Sequence, residues 1–206
     1  MIRRSSFCLA VVATSIGAGA NAVLAREQLI TGTGFAITSD GFLITNEHVV
    51  EGCAQVQLLR DGRRIAATVM SVDTKVDLAL LKVAVPLQDF VKLRSAPAVR
   101  LGEQAISFGY PLAGMLTTDG NLTIGNVSAL RGPGNSPVHI QVTTPIQAGN
   151  SGGPMLDASG NLVGVTVAKL KDGFAQNVNF AISVALFRSN VALSSKPRRQ
   201  PDRIAA

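Results

Sequence analysis

The chain has 206 residues, a net charge of +6, 47% hydrophobic residues and only 16% charged residues. This balance excludes an intrinsically disordered chain and leaves enough apolar side chains for the core of one domain. Two cysteines and two separated histidines provide no ligand cluster for a metal, and no glycine-rich stretch carries the lysine of a phosphate-binding loop. We therefore predict neither a metal nor a cofactor.

Residues 1–25 have the plan of a secretory signal peptide. A basic start precedes a mainly apolar run at residues 7–16, and small residues follow at two candidate cleavage points, after Ala22 and after Ala25. The alternative is an uncleaved membrane anchor, although the run is shorter than the roughly 20 apolar residues that a spanning helix needs. We expect a periplasmic or secreted protein without stable membrane association after cleavage, in which Cys53 is the single cysteine and packs as a buried small hydrophobe.

Short β-rich runs separated by turn signals follow along the chain, which is the rhythm of a barrel or a sandwich. The predicted strands are residues 29–38, 42–45, 54–59, 65–72, 78–83, 104–108, 122–130, 138–143, 162–168 and 178–182. A single helix is predicted at residues 183–193, where Ser183 can cap its start. Residues 194–206 form a basic tail that could contact nucleic acid or an anionic surface. Because no aromatic residues interleave its charges, we predict a solvated, disordered end and no nucleic-acid partner.

The most specific motif is Gly-Asn-Ser-Gly-Gly-Pro at residues 149–154. A serine between small residues can lie on a tight turn with its hydroxyl exposed. The glycines allow positive φ angles and a close approach of backbone N–H groups to a substrate carbonyl. Taken alone, the hexapeptide would equally fit a plain glycine-rich turn.

Two further residues suit the same chemistry. His48 follows a short apolar strand, where a rigid scaffold can present an imidazole base, whereas His139 lies inside a predicted strand and is assigned to structure. Asp77 begins an apolar strand, so its carboxylate must reach the rim of the sheet or be buried with a partner. Asp73 is a competing candidate that lacks a following buried strand.

These residues occur in the order His, Asp, Ser, as in chymotrypsin-like barrels and unlike subtilisins and α/β-hydrolases. The sequence resembles the trypsin-like serine peptidases, specifically the bacterial HtrA/Deg branch, over residues 32–182. Matching motifs are Gly-Thr-Gly-Phe at 32–35, Thr-Asn-Glu-His-Val-Val at 45–50, Asp-Leu-Ala-Leu-Leu-Lys-Val at 77–83, Gly-Tyr-Pro at 109–111, Ile-Gly-Asn-Val-Ser at 124–128, the serine hexapeptide and Asn-Phe-Ala-Ile at 179–182.

The resemblance implies an all-β fold of two perpendicular six-stranded β-barrels of the chymotrypsin type, with a short C-terminal helix. The protease domain would span residues 26–193, with the junction of its half-barrels near residues 86–100. Ser151 would attack the scissile carbonyl, His48 would act as general base and then general acid, and Asp77 would orient His48. The backbone N–H groups of Gly149 and Ser151 would form the oxyanion hole.

The resemblance also implies where the primary specificity pocket lies. Its walls would come from two segments, comprising Thr144, Pro145, Ile146, Gln147, Asn179, Phe180 and Ala181. None of these residues is acidic, so we expect a preference for small or aliphatic side chains rather than Lys or Arg. Relatives usually carry Asp-Ala-Ala where this chain has Thr-Thr-Pro at residues 143–145, which predicts a reshaped pocket.

Two other departures from the family pattern bear on regulation. Asn150 stands where digestive relatives carry an aspartate that pairs with a newly freed N-terminus, so activation by propeptide clipping is not expected. The PDZ domain usual in the HtrA branch does not fit after residue 182, and the segment that would build a trimer is short. We therefore expect a monomer.

We interpret the chain as a serine endopeptidase whose partners are polypeptide substrates, such as exported or misfolded proteins. The alternative is a catalytically silent trypsin-like barrel that binds a peptide or a partner, although such proteins usually lose a member of the triad. A hydrolase acting on esters also stays open. Its usual fold alternates strands and helices, a pattern that this sequence lacks.

Overall fold

The described part of the chain forms twelve strands arranged as two closed six-stranded barrels. The structure is a computed structural model and describes residues 8–15, 28–111, 120–168 and 178–185. The first barrel has the strand order β1-β2-β3-β6-β5-β4, and its strands are β1 (Cys8–Ser15), β2 (Gln28–Ala36), β3 (Phe42–Thr45), β4 (Gln55–Arg60), β5 (Arg63–Asp73) and β6 (Leu78–Val83).

The second barrel has the order β10-β11-β12-β9-β8-β7. Its strands are β7 (Gln104–Gly109), β8 (Asn121–Ala129), β9 (His139–Val142), β10 (Pro154–Leu156), β11 (Leu162–Val167) and β12 (Asn179–Ser183). All neighbouring strands in both barrels pair antiparallel, so short hairpins and loops can connect them. The two-barrel architecture confirms the predicted all-β fold of the chymotrypsin type.

Strand β1 lies inside the segment that the sequence predicts to be a signal peptide. It pairs antiparallel with β2 on one side and with β4 on the other, and these two pairings close the first barrel. An apolar run of this length suits a leader and a barrel strand equally well. Cleavage of residues 1–25 stays a prediction, and it would leave β2 and β4 as unpaired sheet edges.

The start of the predicted C-terminal helix lies at the edge of the described residues. Strand β12 continues to Ser183 and pairs there with Gly164 of β11. Ser183 Oγ also accepts from the Ala185 N–H at 3.3 Å, the contact that a helix cap makes. The predicted helix beyond residue 185 and the whole predicted tail lie outside the described residues.

Apolar side chains form one core inside each barrel and a third between the barrels. Leu43, Leu58 and Leu81 fill the first barrel, where the alternating burial of β6 reflects the two-residue period of a strand. The core between the barrels joins Phe35 of β2 to Leu162 of β11, and both side chains are completely buried. Burial of each such side chain contributes about 1.5–3 kcal/mol, so this layer fixes how the barrels face each other.

The connection between β6 and β7 is fastened to the second barrel by a buried arginine. Arg94 pairs with Glu103 and lies 3.5 Å from an Asp157 carboxylate oxygen, and its Nε donates to the Pro97 carbonyl at 2.8 Å. The hydrogen bond from Arg94 is the main reason that the pKa of Glu103 lies below its ordinary value. Loss of one partner would leave a buried charge without compensation. The cluster therefore stabilises the packing of this connection against the second barrel.

Candidate active site

His48 follows β3, and both its ring Nδ1 and its backbone N–H contact the same carboxylate. It occupies a single 3₁₀ turn (Glu47–Val49) that begins after the extended Asn46 and is anchored by the buried Val49. Its Nδ1 atom lies 2.8 Å from Asp77 Oδ2, and its backbone N–H donates to Asp77 Oδ1 at 2.9 Å. Because an ionised carboxylate only accepts, Nδ1 carries the proton and Nε2 is left to act as a base.

Asp77 is held in an unusual backbone conformation directly before β6. Its φ is 57°, in the left-handed region that L-residues rarely adopt. The fully buried Asn46 stabilises this conformation, because its Nδ2 donates to the Asp77 carbonyl at 2.9 Å. In this conformation both carboxylate oxygens bond to His48.

Asp73, the competing acidic candidate, does not contact His48. Its Oδ1 accepts from the backbone N–H groups of Lys75 at 3.0 Å and Val76 at 3.4 Å. These bonds shape the turn between β5 and β6 that presents Asp77. The structure thus brings Asp77 to the histidine and leaves Asp73 as a turn residue.

Ser151 lies in a turn at residues 149–153, called here the serine loop. Gly152 has a φ of 83°, and a Cβ atom placed on it would come within 2.2 Å of Thr45 Oγ1 and 2.3 Å of the Thr33 carbonyl oxygen. Only glycine therefore lets the loop approach the first barrel this closely. On its other side, the loop exchanges backbone hydrogen bonds with Thr166 of β11, from Gly152 N–H at 3.0 Å and to the Gly153 carbonyl at 2.8 Å.

The Ser151 hydroxyl is bonded within the second barrel and not to the histidine. Its Oγ accepts from the Ala168 N–H at 3.2 Å, and no hydrogen bond in the described part of the chain joins it to the His48 ring. The backbone N–H groups of Gly149 and Ser151 likewise donate to no acceptor among the described residues. The loop therefore presents a nucleophile and two unused donors beside one another, the set that an acyl-transfer site requires.

Asn150 lies buried between the two N–H groups, with an exposed fraction of only 3%. Its backbone N–H donates to the Gln147 carbonyl at 3.0 Å, while its side-chain Oδ1 is buried without a hydrogen-bond partner among the described residues. An amide tolerates this environment, whereas a carboxylate would be a buried charge without a partner.

The two predicted walls of the specificity pocket meet through one side chain. Asn179 Nδ2 donates to the Thr144 carbonyl at 2.9 Å and ties the wall from β12 to the segment before the serine loop. Of the predicted lining residues, Pro145 and Gln147 are exposed and Ile146 is half-buried. Asn179 is half-buried as well, and Thr144, Phe180 and Ala181 are buried. The Thr144 hydroxyl donates to the Ala105 carbonyl at 3.1 Å.

Other titratable side chains near the site have no comparable arrangement. His139 lies in β9, where burial is the main cause that lowers its pKa, against a smaller opposite effect of Asp77. Burial raises the pKa of Glu47, and the carboxylates of Glu51 and Asp77 raise it further. Cys53 is a half-buried free thiol packed against the first core, and burial raises its pKa, which disfavours the reactive thiolate.

Two residues with a role at this site were missed from the sequence. Asn46 holds Asp77, and Thr33 of β2 bonds to the serine loop through its backbone and its hydroxyl. Both lie inside motifs that carry the family resemblance, at 45–50 and at 32–35. The sequence gives no separate signal for their contacts, because both residues act across distances of many residues along the chain.

Within the part of the chain that the structure describes, no group of His, Cys, Asp and Glu side chains is arranged to hold a metal ion. In the same ranges, no helix combines the length and the apolar composition needed to cross a membrane.

The chain is similar to trypsin-like serine peptidases. The sequence model of the trypsin-like peptidase domain matches residues 32–165. Similar curated proteins include the uncharacterized protein y4bJ of Sinorhizobium fredii, 45% identical over 73% of this chain and 25% of that protein. The putative serine protease HhoB of Synechocystis is 40% identical over 77% of this chain and 38% of its own length.

A further curated relative is a bacterial endoprotease. A probable periplasmic serine endoprotease of the DegP-like type from Chlamydia trachomatis is 33% identical over 76% of this chain and 32% of its own length. This chain thus spans between a quarter and two fifths of the curated relatives it matches.

Solved structures share the fold. A structure of an HtrA-type protease with a tripeptide aligns with a TM-score of 0.75 and 26% identity, over 93% of this chain and 62% of that one. The serine endoprotease from Yersinia pestis aligns with a TM-score of 0.69 and 24% identity, over 91% of this chain and 62% of that one.

Proposed function

Because the chain belongs to the trypsin-like peptidase domain family, we propose that it is a serine endopeptidase with His48, Asp77 and Ser151 as its catalytic triad. The observation that carries this proposal is the double hydrogen bond between His48 and Asp77, at 2.8 and 2.9 Å. It fixes the ring orientation and the tautomer, which a general base opposite a serine needs.

In the proposed reaction, the Ser151 hydroxyl leaves the Ala168 N–H and turns towards His48 Nε2. Hydrogen bonds of this kind are often unformed in a free enzyme and form in the substrate complex. The serine oxygen bonds to the scissile carbonyl carbon while its proton passes to Nε2. The intermediate then expels the amine, which takes the proton from Nε2, and an acyl-enzyme remains.

A water molecule then hydrolyses the acyl-enzyme by the same two steps. It gives a proton to Nε2 as its oxygen attacks the acyl carbon, and the serine oxygen leaves with that proton. In both steps the free N–H groups of Gly149 and Ser151 would donate to the developing oxyanion. Loss of one such donor typically costs roughly 10²- to 10³-fold in rate.

The proposed substrates are polypeptides, among them exported or misfolded proteins, cleaved after small or aliphatic side chains. Support for this preference comes from the absence of an acidic residue among the wall residues at 144–147 and 179–181. Profiling against a peptide library checks it, and dominant cleavage after Arg or Lys would contradict it.

We also propose export to the periplasm or beyond. The basic, apolar and small-residue pattern of residues 1–25 supports this location, and DegP-like relatives are described as periplasmic endoproteases. The intact mass of the exported protein tests it. A start after Ala22 or Ala25 is expected, and a product that keeps residues 8–15 would contradict signal cleavage.

The second candidate is a barrel that binds peptides without cleaving them. It is favoured by the Ser151 hydroxyl, which among the described residues bonds to the Ala168 N–H and not to the His48 ring. Casein degradation by the wild-type chain and by Ser151→Ala, from roughly pH 5 to 9, separates the two candidates. Ser159→Ala is the matched control, because Ser159 is an exposed turn residue.

The endopeptidase predicts cleavage that falls in acid, is absent from Ser151→Ala and is unchanged in Ser159→Ala. The binding protein predicts no cleavage by any of the three proteins. Cleavage that persists in Ser151→Ala would refute the proposed nucleophile.

A further inference from the structure

Thr33 of β2 is a completely buried polar residue with all its hydrogen-bonding groups engaged at the junction of the barrels. Its backbone N–H donates to the Ser151 carbonyl at 2.8 Å, and its carbonyl accepts from Thr45 Oγ1 at 2.7 Å. Its hydroxyl donates to the Gly149 carbonyl at 2.7 Å and accepts from the Tyr110 N–H at 2.9 Å. Because an N–H can only donate, the hydroxyl proton must point at Gly149.

The bond to Gly149 acts on the peptide unit that lies between the two free N–H donors of the serine loop. Gly149 has a φ of 95°, in a region where glycine rotates more freely than any other residue. The Gln147 carbonyl holds the Asn150 N–H of this unit at 3.0 Å, and the Thr33 hydroxyl holds its carbonyl oxygen from the opposite barrel. Without the second contact, the unit could tilt about its remaining bond and change the angle between the N–H groups of Gly149 and Ser151.

The same residue is connected to the histidine side of the site. Thr45, which bonds to the Thr33 carbonyl, directly precedes Asn46, the residue that holds Asp77. Thr33 therefore connects the segment Thr45–Asn46, which holds Asp77, to the loop that carries Ser151.

We propose that the Thr33 hydroxyl is a positioning group that holds the Gly149–Asn150 peptide and thereby aligns the two oxyanion donors. This inference rests on the proposed endopeptidase function. Because Thr33 is completely buried, its effect is expected in the chemical step rather than in substrate binding.

Thr33→Val removes the hydroxyl and keeps the shape, whereas Thr33→Ser keeps the hydroxyl. With a fluorogenic peptide taken from the library profile, kcat of Thr33→Val is expected to fall about 10- to 100-fold with KM changed by less than about threefold. Thr33→Ser is expected to restore kcat to within about threefold of the wild-type value.

Ser107→Ala is the matched control for the loss of a buried hydroxyl. The Ser107 side chain is also buried, and its Oγ bonds to Thr166 Oγ1 at 3.1 Å inside the second barrel. This variant is expected to lower the unfolding temperature without lowering kcat. A full kcat in Thr33→Val, failure of Thr33→Ser to restore it, or an equal kcat loss in Ser107→Ala would each overturn the proposal.

A measurement that needs no activity separates this proposal from the proposed function. Amide hydrogen exchange of Tyr110 and Asn150, followed by NMR, is expected to be faster in Thr33→Val than in the wild type and in Ser107→Ala. If the wild-type chain cleaves nothing, the proposed function fails. The exchange rates still show whether the Thr33 hydroxyl restrains the serine loop. Unchanged exchange in Thr33→Val would overturn that restraint.

Discussion

The histidine half and the serine half of the candidate site are held by different kinds of contact. In the first barrel, His48 and Asp77 are joined by two hydrogen bonds, and Asn46 fixes the backbone of Asp77. In the second barrel, Ser151 bonds to the Ala168 N–H, and its loop depends on contacts with Thr33 from the other barrel.

This difference assigns the two halves different tasks. His48 and Asp77 are oriented by contacts within one barrel, so substrate is not needed to orient them. The serine hydroxyl has still to form its hydrogen bond to His48, so the final geometry depends on how the two barrels meet. Substitutions in the first half are therefore expected to remove chemistry outright, and those in the second half to act on alignment and stability.

The largest expected effect comes from removing the base. His48→Ala is predicted to lower kcat by about 10⁴-fold or more, because a triad loses most of its function when its base is absent. His139→Gln is the control, since His139 lies in a strand of the second barrel. Steady-state kinetics on the profiled peptide measure both, and equal losses in the two variants would contradict the assignment of the base.

The next effect comes from the carboxylate. Asp77→Asn is predicted to lower kcat by roughly 10³- to 10⁴-fold, because an amide can donate to Nδ1 and stabilise the wrong tautomer of His48. Asp73→Asn should keep full activity, since an amide oxygen can still accept from Lys75 and Val76. A larger loss in Asp73→Asn than in Asp77→Asn would reverse the two roles.

A smaller effect, on stability, is expected in the serine half. Asn150→Asp is predicted to lower the free energy of unfolding by about 3 kcal/mol at neutral pH, because it buries a carboxylate without a partner. Urea unfolding measures the change, and Asn135→Asp, at an exposed position with positive φ, should be nearly neutral. An unchanged stability would mean that a cation reaches position 150.

The smallest effect is a pH dependence of stability due to His139, which is not a member of the proposed triad. Burial lowers the pKa of His139 in the folded protein, so below the unfolded value of about 6.5 the unfolded chain binds more protons. His139 therefore reduces stability as the pH falls through that value. As the pH is lowered through about 6.5, the unfolding free energy of the wild type should fall relative to that of His139→Gln. A rise of the wild-type value relative to the variant would contradict this sign.

Much of the barrel pattern could be predicted because hydrophobic alternation is local. Strands β3 and β6 match the predicted residues 42–45 and 78–83. Strand β10 was missed because it has only three residues, all buried, and directly follows the glycine-rich loop. Strand β1 was interpreted as a leader because an apolar run has the same composition in both roles.

The candidate site was predicted as residue types but not as geometry. The sequence order picks out His48, Asp77 and Ser151, yet it contains no sign that Asp77 adopts a φ of 57° or that Ser151 bonds to Ala168. Thr144 and Ala181 were placed in the pocket by family position, while their burial depends on the closure of the second barrel. These features depend on tertiary contacts, which no local pattern encodes.

The most direct test of the account is covalent labelling of the wild-type chain with a fluorophosphonate probe, followed by peptide mapping. This reagent phosphonylates a serine oxygen that a neighbouring base activates, with loss of fluoride. The account predicts an adduct at Ser151 that forms at least about 10³-fold more slowly in His48→Ala. The absence of an adduct at Ser151, or equal rates in the two proteins, would contradict a triad built from these residues.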